Sequence, residues 1–289
     1  MNVRGLLSYL PIRRFREPPP VVAVLRLSGV ISAGGQLRPT INIASVEPLI
    51  ERAFKLSNLK AVALVINSPG GSPTQSELIG QRIRDLAEEH DVKVLAFCED
   101  VAASGGYWLA CAADEIFVRE TSVVGSIGVI SASFGFPDLL ARYGVERRVH
   151  TSGEKKAMLD PFRPEKDEDV ARLKDLQKQI HDCFIAHVRA RRGGRLKGDD
   201  ATLFSGEFWT GSKALELGLA DALGEMRQVL RARYGEKVAI KKIDGAKPWW
   251  RRRLGLQGAA ALPGLDLRDA ADGLLAAAEE RALWARYGL

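Results

Sequence analysis

Ser104 stands in the run Ala102-Ala103-Ser104-Gly105-Gly106-Tyr107, between an apolar stretch, Lys93 to Phe97, that predicts a strand and a stretch, Tyr107 to Ala113, that predicts a helix. A serine there faces the first turn of a helix, whose N–H groups lack intrahelical acceptors and carry a partial positive charge. That environment favours an alkoxide and then the oxyanion of an acyl-transfer intermediate. Gly105 and Gly106 would let a substrate backbone approach closely. The same residues also suit a plain helix N-cap and turn.

A second turn of the same kind follows another predicted strand, Ala61 to Ile66, which runs into Asn67-Ser68-Pro69-Gly70-Gly71 before a helical pattern from Thr74 to His90. In α/β sheets such turns gather at the carboxyl ends of the strands, where ligands bind. Backbone N–H groups of Gly70 or Gly71 could then face Ser104 and, with the N–H of Gly105, form an oxyanion hole. Pro-Gly-Gly fits a type II turn equally well, and the turn and the hole are compatible.

A serine nucleophile needs a general base. Of the four histidines, His90 closes the helix after the first glycine turn, and His181 and His187 lie in a long charged stretch that reads as a solvated helix face. His150, closing a predicted strand from Val145 to Thr151, is the one histidine retained as a minor candidate. Lysine is the other possible base if burial lowers its pKa of about 10.4 by roughly three units. Lys155 and Lys156, in Thr151-Ser152-Gly153-Glu154-Lys155-Lys156-Ala157-Met158, are placed for this role, although a lysine pair in a loop is also ordinary surface charge.

The elements that must position these residues alternate. Strands are predicted at Val21 to Leu27, Ala61 to Ile66, Lys93 to Phe97, Glu115 to Val118 and Val145 to Thr151. Helices are predicted at Val46 to Leu56, Thr74 to His90, Tyr107 to Ala113, Pro137 to Tyr143 and Lys166 to Arg192. The fold class is therefore α/β. A helix over Gly224 to Tyr234 and a short strand over Val238 to Ile243 close the domain. We divide the chain into an N-terminal arm (1–20), a main domain (21–244), and a basic linker with an amphipathic C-terminal helix (245–289), the linker holding Pro248-Trp249-Trp250-Arg251-Arg252-Arg253. No internal repeat is present.

With 289 residues and ordinary apolar and charged fractions, the chain can bury a sizeable core. Cys98, Cys111 and Cys183 are odd in number and lack motif spacing, which fits a reducing compartment. No stretch reaches the roughly 20 apolar residues of a spanning helix, and the first 20 residues lack a signal-peptide core. They could serve as an interfacial anchor or as a partner-docking arm. A net charge of +6 suits an acidic membrane surface, and no nucleic-acid motif accompanies it. Zinc-ligand spacing and a P-loop ending are both absent, so no cofactor is expected.

Taken together, Asn67-Ser68-Pro69-Gly70-Gly71, Ala103-Ser104-Gly105-Gly106-Tyr107, Gly125-Ser126-Ile127-Gly128-Val129 and Ser152-Gly153-Glu154-Lys155-Lys156 occur in the order and approximate spacing of the signal peptide peptidase A family, which the chain resembles from about Val21 to Gly224. The stretch Phe204-Ser205-Gly206 and the run from Ala214 to Leu223 belong to the same resemblance. These are serine proteases with a Ser/Lys dyad. The resemblance implies Ser104 as nucleophile, Lys156 as general base, Ser126 as the serine that orients the lysine, and Gly70 or Gly71 with Gly105 as oxyanion donors. It also implies the repeated β-β-α spiral shared with caseinolytic protease and crotonase proteins. A half-length chain of this type resembles those that assemble into homo-oligomeric rings in which serine and lysine come from neighbouring protomers.

The function expected is a serine endopeptidase acting on peptides, such as cleaved signal peptides or unfolded segments. Its expected place is the cytoplasm, at the periphery of the inner membrane face. A crotonase-like acyl-CoA hydrolase or isomerase would use similar oxyanion donors but would need neither Ser104 nor Lys156. A catalytically silent oligomeric scaffold is the third alternative. The apolar run after Gly128, expected to be a strand, suggests a groove for small or apolar side chains.

Overall fold

In the computed structural model, residues 19–34, 40–244, 278 and 280–288 are described. The arm over 1–18, the Trp-Arg run at 248–253 and most of the expected C-terminal helix lie outside them.

Among the described residues there are eight strands, β1 (Val21–Ser28), β2 (Leu59–Ser68), β3 (Lys93–Ala103), β4 (Glu115–Val118), β5 (Val123–Gly125), β6 (Phe208–Thr210), β7 (Ala222–Leu223) and β8 (Ala239–Lys242). They form one sheet in the order β6-β5-β3-β2-β1-β8, with β4 and β7 branching from β3. All pairs are parallel except β5 with β6. The long β3 pairs through Leu95–Phe97 with β4 and through Val101–Ala103 with β5. One strand thus changes neighbours along its length. The mostly parallel sheet with covering helices is the α/β class expected from the sequence.

A parallel sheet needs cover on both faces, which is why its strands read as continuous apolar runs. Side chains alternate across the sheet with a period of two. Ala23, Leu25, Val62, Leu64, Ile66, Val94 and Ala96 face one core, whereas Val22, Val24, Ala61, Ala63, Val65, Leu95 and Phe97 face the other. The first core is covered by α1 (Ile43–Phe54), α2 (Pro73–Glu89), α3 (Gly105–Cys111) and α5 (Asp167–Arg192). The second is closed by α8 (Met226–Tyr234), through Leu230. Three short helices, α4 (Pro137–Arg142), α6 (Asp200–Leu203) and α7 (Gly211–Glu216), lie between them along the chain. Truncating a fully buried Leu64 or Ile66 to alanine would cost about 2–5 kcal/mol.

The helix starts are explained by their caps. The Asn42 side chain accepts from the Ser45 N–H and opens α1, and Ser72 with Pro73 opens α2. Asp167, Glu168 and Asp169 in the first turn of α5 and Arg189, Arg191 and Arg192 in its last turn complement the helix dipole. Among the described residues no helix is long and apolar enough to cross a membrane.

Three expectations are corrected. The stretch from Val145 to Thr151 forms no strand: most of it is exposed and no ladder partner lies alongside. A strand needs its N–H and C=O groups paired, and alternation alone does not supply a neighbour. The run after Gly128 is likewise outside any strand, with Ile130 65% exposed. Finally, His181 and His187 do not lie on a solvated face of α5. His187 stacks on Trp108 with ring centroids 4.5 Å apart and has Nε2 3.2 Å from the Trp108 carbonyl oxygen, and His181 Nε2 is 2.9 Å from that of Ile127. The apolar positions Phe184 and Val188 turn that face of the helix onto α3, whereas the density of charge in the sequence suggested solvent.

Candidate active site

Ser104 lies where β3 passes into α3, with φ 52° and ψ −122°. A non-glycine residue seldom adopts this conformation, and it persists only when the surroundings hold it. The Ser104 N–H donates to the Gly125 carbonyl at 2.8 Å, and its own carbonyl accepts from the N–H groups of Tyr107 at 2.9 Å and Trp108 at 3.0 Å. Val101 to Ala103 and Gly105 to Cys111 are buried, while Ser104 itself is half-buried. The side chain makes no capping hydrogen bond, so the plain N-cap role does not account for this serine. Among the described residues its hydroxyl has no hydrogen-bonding partner, which leaves it available for chemistry.

The two glycine turns meet at this point. A Cβ on Gly70 would lie 2.7 Å from the Ser104 Cβ and 2.8 Å from the Gly105 nitrogen, so only glycine allows the approach. Gly70 has φ +100° and Gly71 φ +140°. The Gly70 N–H donates to Ser68 Oγ at 3.2 Å. Gly71 bridges to Ile31, but that bridge uses the Gly70 carbonyl and the Ser72 N–H. The N–H of Gly71 is therefore the donor of the pair without an acceptor among the described residues. Gly105 begins α3, so its N–H has no intrahelical acceptor.

Ser126 is the neighbour on the other side. Ala103 pairs with Gly125 in the parallel β3–β5 ladder, so the next residues along, Ser104 and Ser126, stand side by side. Ser126 has φ 51°, is only 6% exposed and donates its N–H to the Glu207 carbonyl at 2.7 Å. The structure thus brings Ser104, Gly70, Gly71, Gly105 and Ser126 together.

Lys156 is not part of this cluster within the chain. It is exposed in the turns over 153–159, with its N–H on the Gly153 carbonyl at 3.2 Å. Among the described residues its ammonium has no partner. Lys155 and His150 are exposed as well. His90 stacks against Phe54 with centroids 5.9 Å apart, and none of the four histidines contacts the Ser104 hydroxyl. Burial pushes the thiols of Cys98 and Cys111 up to about 12, which makes them inert as nucleophiles beside the serine. Among the described residues no group of His, Cys, Asp and Glu is arranged to hold a metal.

Residues 129–166 form an excursion between β5 and α5 in which no residue is fully buried. A cavity of about 370 Å³ within it is lined by Phe134, Asp138, Leu159 and Pro161 among others, and none of its lining residues belongs to the glycine turns.

Sequence reasoning on individual residues missed two contributors to the site. Phe208, on β6, pairs with Gly125, and Tyr287 reaches Ser126 from far along the chain. The Phe204-Ser205-Gly206 motif lay just ahead of the first. No sequence signal pointed to the second.

The sequence model of peptidase family S49 matches residues 87–239. The Na(+)/H(+) antiporter NhaA of Brucella abortus is 54% identical over 289 residues, covering 99% of this chain, which spans 39% of that protein's length. The chloroplastic serine protease SPPA of Arabidopsis thaliana is 30% identical over 76% of this chain and 33% of its own length. Protease 4 of Haemophilus influenzae is 27% identical over 83% of this chain and 38% of its own length. A solved membrane-bound stomatin-specific protease superposes over 79% of this chain and 99% of its own with a TM-score of 0.47 and 14% identity. The match over residues 87–239 includes Ser104, Ser126 and Lys156, and the chain belongs to peptidase family S49.

Proposed function

We propose that this chain is a serine endopeptidase in which Ser104 attacks a peptide carbonyl and Lys156 acts as general base. The observation that carries the reading is the uncapped, strained Ser104 meeting Gly70 and the helix N-terminal Gly105. Neutral Lys156 takes the Ser104 proton as the Oγ–carbon bond forms. The amides of Gly71 and Gly105 hold the oxyanion, and the protonated lysine then gives its proton to the leaving amine. Water attacks the acyl-enzyme with the lysine again as base, restoring Ser104. Gly70 provides the close approach, and Ser126 orients the lysine amine.

Lys156 reaches Ser104 from a neighbouring copy of the chain in this reading. Two features support it: the lysine is exposed within one chain, and its excursion displays Phe134 at 81%, Tyr143 at 73%, Val145 at 54% and Leu139 at 51% exposure. Apolar surface gathered in this way marks an interaction face. The substrates are peptides or unfolded segments, including released signal peptides. The net charge of +6 suits work in the cytoplasm at the acidic inner membrane face.

Mass spectrometry after fluorophosphonate treatment tests the dyad. One adduct at Ser104, absent from Ser104→Ala and Lys156→Ala, is expected. An unlabelled wild type in its intact oligomer would refute the nucleophile and favour a silent scaffold.

A further inference from the structure

Residues 280–285 are helical and end in a turn, with Tyr287 N–H on the Trp284 carbonyl at 2.9 Å and Gly288 N–H on that of Ala285 at 3.1 Å. Gly288 takes φ +78°, the left-handed conformation that commonly stops a helix. This end delivers Tyr287 to the candidate active site. Its hydroxyl lies 3.5 Å from the Pro69 carbonyl, the residue before Gly70, and 3.4 Å from Ser126 Oγ. Its ring meets Phe208 edge to face, with centroids 5.1 Å apart and planes at 71°. Leu283, Trp284 and Tyr287 are half-buried, whereas the intervening Ala285 and Arg286 are exposed.

The two hydrogen bonds are long and individually weak. An edge-to-face ring pair adds about 0.5–1.5 kcal/mol beyond the area it buries. Because the segment belongs to the same chain, it meets the cleft at an effective concentration that can reach the millimolar range, so modest contacts suffice to populate the docked state. The place it occupies is informative. Phe208 is still 47% exposed with Tyr287 against it, so the surface is open and apolar and has a polar floor made by the Pro69 carbonyl and the Ser126 hydroxyl. An aromatic ring with a hydroxyl at its tip matches that combination.

We propose that Phe208, Pro69 and Ser126 form an aromatic-accepting subsite beside Ser104, and that Tyr287 fills it as an intramolecular occupant that excludes peptide substrate. The occlusion rests on Ser104 and Ser126 acting as proposed above. With Tyr287 docked, Ser126 Oγ is engaged by a phenol at the position where it would receive the lysine amine. Docking of this segment and assembly of the dyad therefore compete for the space beside Ser126. A substrate that displaces Tyr287 would carry tyrosine or phenylalanine at the side chain reaching Phe208.

The test uses the full chain and a fluorophore-labelled peptide with the sequence of residues 280–288, read by anisotropy. Tyr287→Ala, with the cleft vacated, should bind the peptide about tenfold or more tightly than wild type, because apparent affinity falls with the fraction of competent sites. Adding Phe208→Ala to that variant should remove the binding. In proteins that label, Tyr287→Ala should also raise the rate of fluorophosphonate labelling at Ser104. Equal peptide affinity in wild type and Tyr287→Ala, or no binding by Tyr287→Ala, would overturn the subsite. Binding as expected, with labelling no faster, would overturn the occlusion. Peptide binding with Ser104 unlabelled in every variant would instead strike the nucleophile assignment and leave the subsite standing.

Discussion

Gly70 and Ser104 come from the ends of different strands and meet so closely that a Cβ on the glycine would lie 2.7 Å from that of the serine. The contact ties the loop after β2 to the start of α3, and it fixes where a substrate carbonyl would have to lie. Room is kept there by the missing side chain, and donors are kept free by a helix that begins at Gly105.

Gly70→Ala would therefore push Ser104 and Gly105 apart and also strain a residue at φ +100°. Loss of one oxyanion donor costs about 10²–10³ in kcat, and displacement of the nucleophile adds to that. We expect peptidase activity to fall by at least about this factor. Circular dichroism should still show a folded chain, since the turn lies outside both cores.

Complementation separates a shared dyad from one within a single chain. A mixture of Ser104→Ala and Lys156→Ala chains, each inactive alone, should recover part of the wild-type activity through mixed contacts. A flat result across mixing ratios would place both groups in one chain.

The exposed face of the 129–166 excursion gives a second handle on assembly. Phe134→Ser with Tyr143→Ser removes two rings exposed at 81% and 73%, so it should leave the chain's thermal stability nearly unchanged. Light scattering should show a smaller particle, and activity should fall with it. An unchanged mass would shift the interface elsewhere.

Arg192 and Asp221 supply a stability test away from the site. The Arg192 side chain is 1% exposed and holds Asp221 through bonds of 2.7 and 3.0 Å, with the Ile116 N–H adding a third at 2.7 Å. Burial alone would raise the Asp221 pKa, but these partners outweigh it and hold the carboxyl below its usual range. Its contribution is thus fully present above about pH 3.9 and is lost as pH falls through the lower folded-state value. Asp221→Ala leaves a buried guanidinium without its counter-charge and should cost about 3–5 kcal/mol in denaturant unfolding at neutral pH. A cost near zero would mean that the Gly218 carbonyl, which accepts from Arg192 at 2.8 and 3.0 Å, suffices alone.

His187 sets the opposite kind of group against α3. Burial lowers its pKa below the ordinary histidine range, against the weaker raising effect of the Trp108 carbonyl. The unfolded chain therefore binds more protons than the folded one below about pH 6.5. Stability from neutral His187 is complete above that pH and declines as pH falls toward the folded-state pKa. His187→Phe keeps a ring on Trp108 and removes the titration, so its melting temperature should depend less on pH between about 5 and 7 than that of wild type. Parallel profiles would show that another group titrates.

Much of this protein was legible before any coordinates. The runs at Val21 to Leu27, Ala61 to Ile66 and Lys93 to Phe97 are largely apolar on both faces, as the strands of a covered parallel sheet are. The glycine turns that end β2 and β3 carry their own conformational demand, so their place beside Ser104 followed from α/β geometry. The expected strand at Val145 to Thr151 failed because local alternation says nothing of whether a partner strand exists. His181 and His187 were misplaced because charge density along α5 conceals a narrow apolar face that is visible only against Trp108.

The sequence by itself determined which residues have reactive or permissive chemistry, because glycine's freedom, a serine before a helix and strand-forming runs are local properties. Only the tertiary structure decided which of them meet. Ser126 stands beside Ser104 through the register of β3 with β5, Lys156 is left on the exposed excursion, and Tyr287 arrives from 161 positions beyond Ser126. Such long-range placement depends on which surfaces pack, and no local pattern encodes it.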